Sequence, residues 1–144
     1  VLNCGGRTTA SGIASILAIQ SASSGRNIIL CDKSGKIDEE VNSDAISHPS
    51  GIPIVYLQDN LSVTTGDNGT TFFTSSNFKS TIENLLANFD QVFICSSAKD
   101  ASIGLIALAD FKPKIVLSAS LRRTRKLVIK KITESQPIDI LFHD

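Results

Sequence analysis

The sequence predicts an α/β domain: a three-layer sandwich with a mostly parallel central sheet between helices. Three observations predict it. Short, largely apolar runs recur at Val1–Cys4, Asn27–Cys31, Gln91–Cys95 and Lys114–Ser118, as in strands buried on both faces. Segments with helical spacing separate these runs, so strand and helix alternate. No internal repeat is present, and 144 residues with 42% apolar content supply one core, hence a single domain over 1–144.

The elements follow in order. Val1-Leu2-Asn3-Cys4 is a first strand broken by Gly5-Gly6. From Thr8 to about Ala22, Ile13, Ile16, Leu17 and Gln20 fall at helical spacing, with Ala10, Ala14 and Ala18 between them. Ser23-Ser24-Gly25 ends this helix, with Gly25 as its cap. Asn27–Cys31 is the second strand and Asp32 follows it, which makes a βαβ unit of the right-handed, parallel kind. Lys33 to Gly51 reads as a polar excursion with one short helix, and Ile52–Leu57 as a strand with Pro53 at its start or at an edge. Asp59–Gly69 reads as a turn-rich loop, and Thr70–Phe73 as a short strand. Ser75 or Ser76 caps a helix carrying Phe78, Ile82, Leu85, Leu86 and Phe89 on one face. After the strand Gln91–Cys95 come an apolar helix over Ser102–Asp110 and the strand Lys114–Ser118. A basic helix from Ser120 or Thr124 to about Ser135 and a last strand at Ile138–Phe142 complete the chain.

Composition removes several classes of function. Lys+Arg and Asp+Glu are both 14, so the basic excess of a dedicated nucleic-acid surface is missing. No run approaches the roughly 18 apolar residues that a bilayer span needs. Cys4, Cys31 and Cys95 are odd in number and far apart, which argues against a disulfide framework and for a reducing, cytoplasmic setting. The cysteines all fall at strand carboxyl ends, but without Cys-x-x-Cys spacing they read as small core residues rather than metal ligands. His48 and His143 read as surface residues. Arg122-Arg123-Thr124-Arg125-Lys126 with Lys130-Lys131 reads as a solvated helix face, or as a patch for an acidic partner or lipid phosphates. A chain without Met that opens on an apolar stretch is expected to be a piece of a longer protein.

In a parallel sheet, ligands sit beyond the carboxyl ends of the strands at a topological switch point. Attention therefore falls on Cys4-Gly5-Gly6-Arg7-Thr8-Thr9, between a strand and a helix. Glycines allow backbone N–H groups to converge on a phosphate, and the helix N-terminus adds positive partial charge. Arg7 stands where the loop cation belongs, and Thr8 and Thr9 where a Mg²⁺-binding hydroxyl belongs. Taken alone, the hexamer also fits a strand-to-helix turn that binds nothing.

The wider layout resembles a known family. Gly6-Arg7-Thr8-Thr9, a small-residue helix through Ala18, Gly25-Arg26, Ile28–Asp32 and Phe89–Cys95 follow the order and spacing of the deviant-Walker P-loop ATPases. Within them the chain is most similar to the cytoplasmic kinase-like domain of bacterial tyrosine kinases and polysaccharide chain-length determinant proteins. Asp100, Asp110, Ile115-Val116-Leu117 and Thr124-Arg125 continue the family's order. The resemblance implies a P-loop NTPase-like, Rossmann-like topology. It also implies a nucleotide site formed by Gly5, Gly6, Arg7, Thr8, Thr9 and Asp32.

Several positions depart from the family pattern. Arg7 replaces the P-loop Lys, a non-conservative change at a phosphate. Ser34 and Lys36 stand in place of an Asp and an Arg, and Cys95 replaces the Asp that acts on the Mg²⁺ shell. Ser96-Ser97-Ala98 replace Thr-Pro-Pro, and Asp144 stands near the base-binding Asn. Tyr56 is the sole tyrosine, in an apolar run, without the tyrosine-rich tail of the kinases. Mg²⁺ prefers oxygen to sulfur, so the expectation is weak binding of ATP or ADP with little help from Mg²⁺. No catalytic residue and no resident metal are assigned.

The reading that results is a degenerate domain with a regulatory or assembly role in exopolysaccharide or lipopolysaccharide biosynthesis. Its partner would be a membrane-anchored chain-length regulator segment or protein, or a second copy of the chain; nucleic acid is not expected. Two alternatives stand beside it: an active kinase or ATPase using Asp32, Asp90 and Asp100 for the metal, and a partition-type ATPase relative.

Overall fold

The computed structural model describes residues 2–3, 9–33, 46–47, 53–64, 69–97, 99–120 and 139–143. The strands are β1 (Leu2–Asn3), β2 (Ile28–Lys33), β3 (Ile46–Ser47), β4 (Pro53–Gln58), β5 (Leu61–Thr64), β6 (Gln91–Ser97), β7 (Val116–Ser120) and β8 (Asp139–His143). The helices are α1 (Thr9–Ser23), α2 (Gly69–Thr74), α3 (Phe78–Asn88) and α4 (Ala101–Leu108), the last followed by a 3₁₀ turn at Ala109–Phe111. The sheet order is β3-β4-β5-β2-β6-β1-β7-β8. From β5 to β8 every pairing is parallel, and β3 and β4 add an antiparallel margin.

Connections leave the sheet centre in opposite directions. β1 leads through α1 to β2, passing over β6, and β6 leads through α4 to β7, passing over β1. Crossovers of one hand that run in opposite directions must lie on opposite faces. The core obeys this. Ile28 and Leu30 of β2 pack with Ala14, Ala18 and Ala22 of α1 and with Leu61, Val63 and Cys95. Ile29 and Cys31, pointing the other way, pack with Phe72, Phe73, Phe78, Ile82, Leu85 and Phe89, and Ile103 and Ala107 of α4 join that cluster. Phe72, Phe73 and Phe78 meet edge to face with centroids 5.2–5.7 Å apart, the arrangement the ring quadrupole favours.

Side chains pin the amino ends of the central strands. The Asn27 N–H donates to Asp90 Oδ2 at 2.7 Å, and Asn27 Nδ2 donates to the Asn88 carbonyl at 3.1 Å. Asn60 Nδ2 donates to the Ala22 carbonyl at 2.6 Å, joining the end of α1 to the β4–β5 turn. Gly25, with φ of +84°, makes the left-handed stop expected after α1, and its N–H donates to the Ala22 carbonyl at 2.9 Å.

The expected layers and the four central strands are present. Other readings need correction. Asp59–Gly69 is not all loop: Leu61–Thr64 is a fully buried strand whose serine and threonine alternate with Leu and Val. Thr70–Phe73 is not a strand but part of α2, because packing of Phe72 and Phe73 on the sheet overrides their β propensity. The residue capping α3 is Asn77, with no side-chain cap bond; Ser75 Oγ instead accepts the Asn77 N–H at 3.3 Å. Leu86 is half exposed rather than part of the core face of α3. Ile46–Ser47 forms a strand within the polar excursion, and Ser120 ends β7 instead of opening a helix. The basic helix expected up to Ser135, the acidic run Asp38-Glu39-Glu40, Cys4, His48 and Asp144 lie outside the described residues.

The buried face of α1 is its alanine stripe. Ala14 and Ala18 are 0% exposed, whereas Ile16 is 64% exposed. Small side chains let the helix axis approach the sheet closely, and the Ile16 position then faces away. Ala18→Leu should therefore destabilise the fold by about 1–3 kcal/mol, the usual cost of overpacking. Ile16→Ser should change stability by less than about 0.5 kcal/mol. Urea unfolding of the two variants measures the contrast.

Candidate functional site

Strand registers bring the carboxyl ends of β1, β2 and β6 to one edge. Asp32 stands opposite Cys95, Lys33 opposite Ser96, Leu2 opposite Ser96 and Asn3 opposite Ser97. β1 and β6 are neighbours whose connections depart in opposite directions, so this edge is the topological switch point of the sheet. Of the residues the sequence nominated, Thr9 is the first residue of α1, and Asp32 is the fifth residue of β2. Gly5, Gly6, Arg7 and Thr8 lie outside the described residues, as do Ser34 and Lys36. They link the end of β1 to the start of α1, or follow the end of β2, in the chain.

Asp32 is buried and accepts a hydrogen bond from Ser11 Oγ at 3.0 Å. Strand alternation explains this: Ile28, Leu30 and Asp32 share the α1 face, and Ser11 is in the first turn of that helix. The carboxylate thus ties the end of β2 to the helix start that follows the glycine turn. Cys95 lies on the same face, fully buried among Ala14 and Ala18. Cys31 packs on the opposite face with the phenylalanines, so these two thiols do not converge. Lys33 is also buried, with its Nζ 4.6 Å from the centre of the Phe72 ring, a cation–π geometry.

A second polar node stands beside the first. Asp100, immediately before α4, is buried and accepts hydrogen bonds from Thr70 Oγ1 and from Ser97 Oγ, the latter at 2.8 Å. These contacts join α2, the end of β6 and the start of α4. Gly69 makes the approach possible, since a Cβ there would stand 2.7 Å from Asp100 Oδ2. The sequence offered Asp100 through the family's order and as a metal candidate of the active-kinase alternative, but gave no signal for Thr70, Gly69 or Ser97 as its neighbours. Asp90 is a correction. It does not join Asp32 and Asp100, because it follows α3 at the opposite edge of the sheet and binds Asn27.

Burial pushes the Cys31 thiol from its ordinary value of 9.0 up to about 12, with Lys33 pulling the other way. The folded state therefore keeps this proton where the unfolded chain has lost it. Stability from this group is present below about pH 9 and is lost as pH rises toward 12. Within that window its slope approaches about 1.4 kcal/mol per pH unit. Cys31→Ala should flatten the decline between pH 9 and 11 relative to the parent, as read by urea unfolding at each pH. The node at Asp100 gives a second contrast. Asp100→Ala should cost about 2–4 kcal/mol, because two hydroxyls lose a charged acceptor in a buried place. Asp110→Ala should cost less than about 0.5 kcal/mol, since its ion pair with Lys79, at 3.8 Å, is exposed. Thermal unfolding of both variants measures this difference.

No family model matches the sequence, and no curated protein matches it. Solved structures do share its fold. The chimerical protein CapA2B2 is similar over 98% of this chain and 74% of its own, with TM-score 0.68 and 19% identity. The BceF tyrosine kinase domain is similar over 98% of this chain and 67% of its own, with TM-score 0.67 and 17% identity. A plasmid partition protein from Borrelia burgdorferi is similar over 98% of this chain and 76% of its own, with TM-score 0.55 and 10% identity. The likeness at these identities is one of fold. The chain has the α/β architecture of P-loop NTPase-type domains, as its motif layout implied.

Proposed function

We propose that the chain is a degenerate P-loop domain of a polysaccharide biosynthesis or chain-length-control protein, with a regulatory or assembly role and weak or no nucleotide turnover. One observation carries this reading: the pairing of Asp32 with Cys95 at the adjacent ends of β2 and β6. Phosphoryl transfer depends on positioning and on charge neutralisation by a metal held through oxygen. Here one of two neighbouring strand ends offers a carboxylate, already engaged by Ser11, and the other a thiol buried among alanines. This donor set does not fit Mg²⁺. The shared fold with the BceF tyrosine kinase domain supports the lineage.

The features that would hold a phosphate do not depend on the metal. Gly5, Gly6, Arg7, Thr8 and Thr9 precede or open the fifteen-residue helix α1 in the sequence and would supply the backbone N–H groups, with Arg7 as the side-chain cation. A bound ADP or ATP would bring its own phosphate charge to that helix start, and Asp32 would keep α1 in place through Ser11. Among the described residues no helix is long and apolar enough to cross a membrane. The role proposed, following the family resemblance, is that of a domain working with a membrane-anchored regulator segment or protein.

Calorimetric titration with ADP tests the proposal. Weak binding that Mg²⁺ changes by less than about threefold is expected. Arg7→Ala should weaken it by roughly tenfold or more, through loss of a charge-assisted contact. Incubation with ATP and Mg²⁺ should give no phosphotyrosine. A clear phosphotyrosine signal that disappears in Arg7→Ala would overturn the degenerate reading in favour of an active kinase.

A further inference from the structure

The Asp32 carboxylate stands at the positive end of α1. Asp32 is 3% exposed, and its Oδ2 accepts the Ser11 hydroxyl at 3.0 Å. Ser11 is the third residue of this fifteen-residue helix, whose first turn carries no acidic side chain of its own. A helix start bears about half a positive charge, together with backbone N–H groups that have no intrahelical acceptor. Asp32 is therefore an anion that the fold itself brings to the place where a phosphate would be drawn.

Three further observations fix the charge there. The alternation of β2 sends Asp32 to the α1 side with Ile28 and Leu30, and Ala14 and Ala18 let the helix lie close against that face. Lys33, next in the chain, sends its ammonium to the opposite face, over the Phe72 ring. Cys95, opposite Asp32 in the ladder, brings a thiol rather than a second carboxylate. Where a divalent cation stands between a carboxylate and a phosphate, the carboxylate helps binding. Asp32 with Cys95 does not supply the oxygen ligands that such a cation needs. The two negative charges then repel in a buried place, where water and salt screen them poorly.

We infer that Asp32 is an autoinhibitory carboxylate: a counter-anion built into the fold that lowers the affinity of the α1 start for phosphate and nucleoside diphosphates. This rests on the nucleotide reading above and adds a regulation to it. Its sign is the reverse of a metal-assisting aspartate, since neutralising the charge strengthens metal-free binding.

The test is calorimetric titration of ADP, and separately of inorganic phosphate, without Mg²⁺ and at fixed ionic strength. The chains compared are the parent, Asp32→Asn, Asp32→Ser, Ser11→Ala and Arg7→Ala. Asn keeps an oxygen that can accept the Ser11 hydroxyl and removes the charge. Asp32→Asn should bind ADP roughly fivefold or more tightly than the parent. Asp32→Ser, smaller and also neutral, should gain in the same direction, and it gives the sign if Asp32→Asn does not fold. Ser11→Ala keeps the charge and should give no gain. An equal gain from Ser11→Ala would mean that a loosened helix, not charge, sets the affinity, and would overturn the inference. Unchanged or weaker binding by the neutral variants, with binding still lowered by Arg7→Ala, overturns the inference and leaves the nucleotide reading standing. No binding by any of the chains overturns both.

Discussion

All six residues of β2, from Ile28 to Lys33, are buried, and the strand has a helix layer against each face. The rest of the arrangement depends on that double burial. On one side a helix must come close to a strand bearing Ile28 and Leu30, and alanines at 14, 18 and 22 allow it. On the other, four buried phenylalanines pack over Ile29 and Cys31. Fully burying an isoleucine or leucine is worth roughly 1.5–3 kcal/mol, so the apolar stretch of β2 anchors both layers at once. The site geometry is a by-product. Because α1 is drawn close along its length, its first turn comes within hydrogen-bond reach of the end of β2.

Burial continues past the apolar part of β2 to Asp32 and Lys33, where it would be unfavourable without compensation. Each charge has company of a different kind. Asp32 takes the Ser11 hydroxyl, Lys33 lies over the Phe72 ring, and Asp100 nearby takes two hydroxyls. These contacts connect α1, α2, α4, β2 and β6 at one edge. Neighbouring residues on β2 send opposite charges to opposite faces, which keeps the carboxylate on the side of α1. The same alternation places the Cys31 and Cys95 thiols on different faces.

Much of the fold was legible because buried strands announce themselves as apolar runs: β2, β6 and β7 are visible this way. β5 was not, because Ser62 and Thr64 break its apolar character and Asn60 reads as a turn; its burial depends on pairing with β2, which lies elsewhere in the sequence. α2 was hidden by local preference, since two threonines and two phenylalanines favour a strand until the facing sheet is known. The extent of α1 was clear from its spacing, but which side is buried was not, because the distance between layers selects the alanines at 14, 18 and 22. In the site, Asp32 was legible from its place after a strand. Asp100's surroundings were not, because Thr70 lies 30 residues away in the chain and only the fold brings it near. Asp90 shows the reverse error, a plausible acidic residue that the topology puts at the wrong edge.

The position of β1 has a consequence for how the molecule assembles. Leu2 pairs with Ser96 and Leu117, so its contacts span most of the chain. The β4–β5 hairpin, by contrast, closes across a two-residue turn at Asp59-Asn60. Loop closure opposes distant contacts before they return any stabilisation. The hairpin and the β2 layers therefore form the earlier nucleus, and β1 enters a groove whose walls already exist. Asn3, at the carboxyl end of β1, therefore meets Ser97 and Ser118 late. A folding chain passes through a state in which its two helix layers are formed on β2 and the central strand β1 is not yet seated.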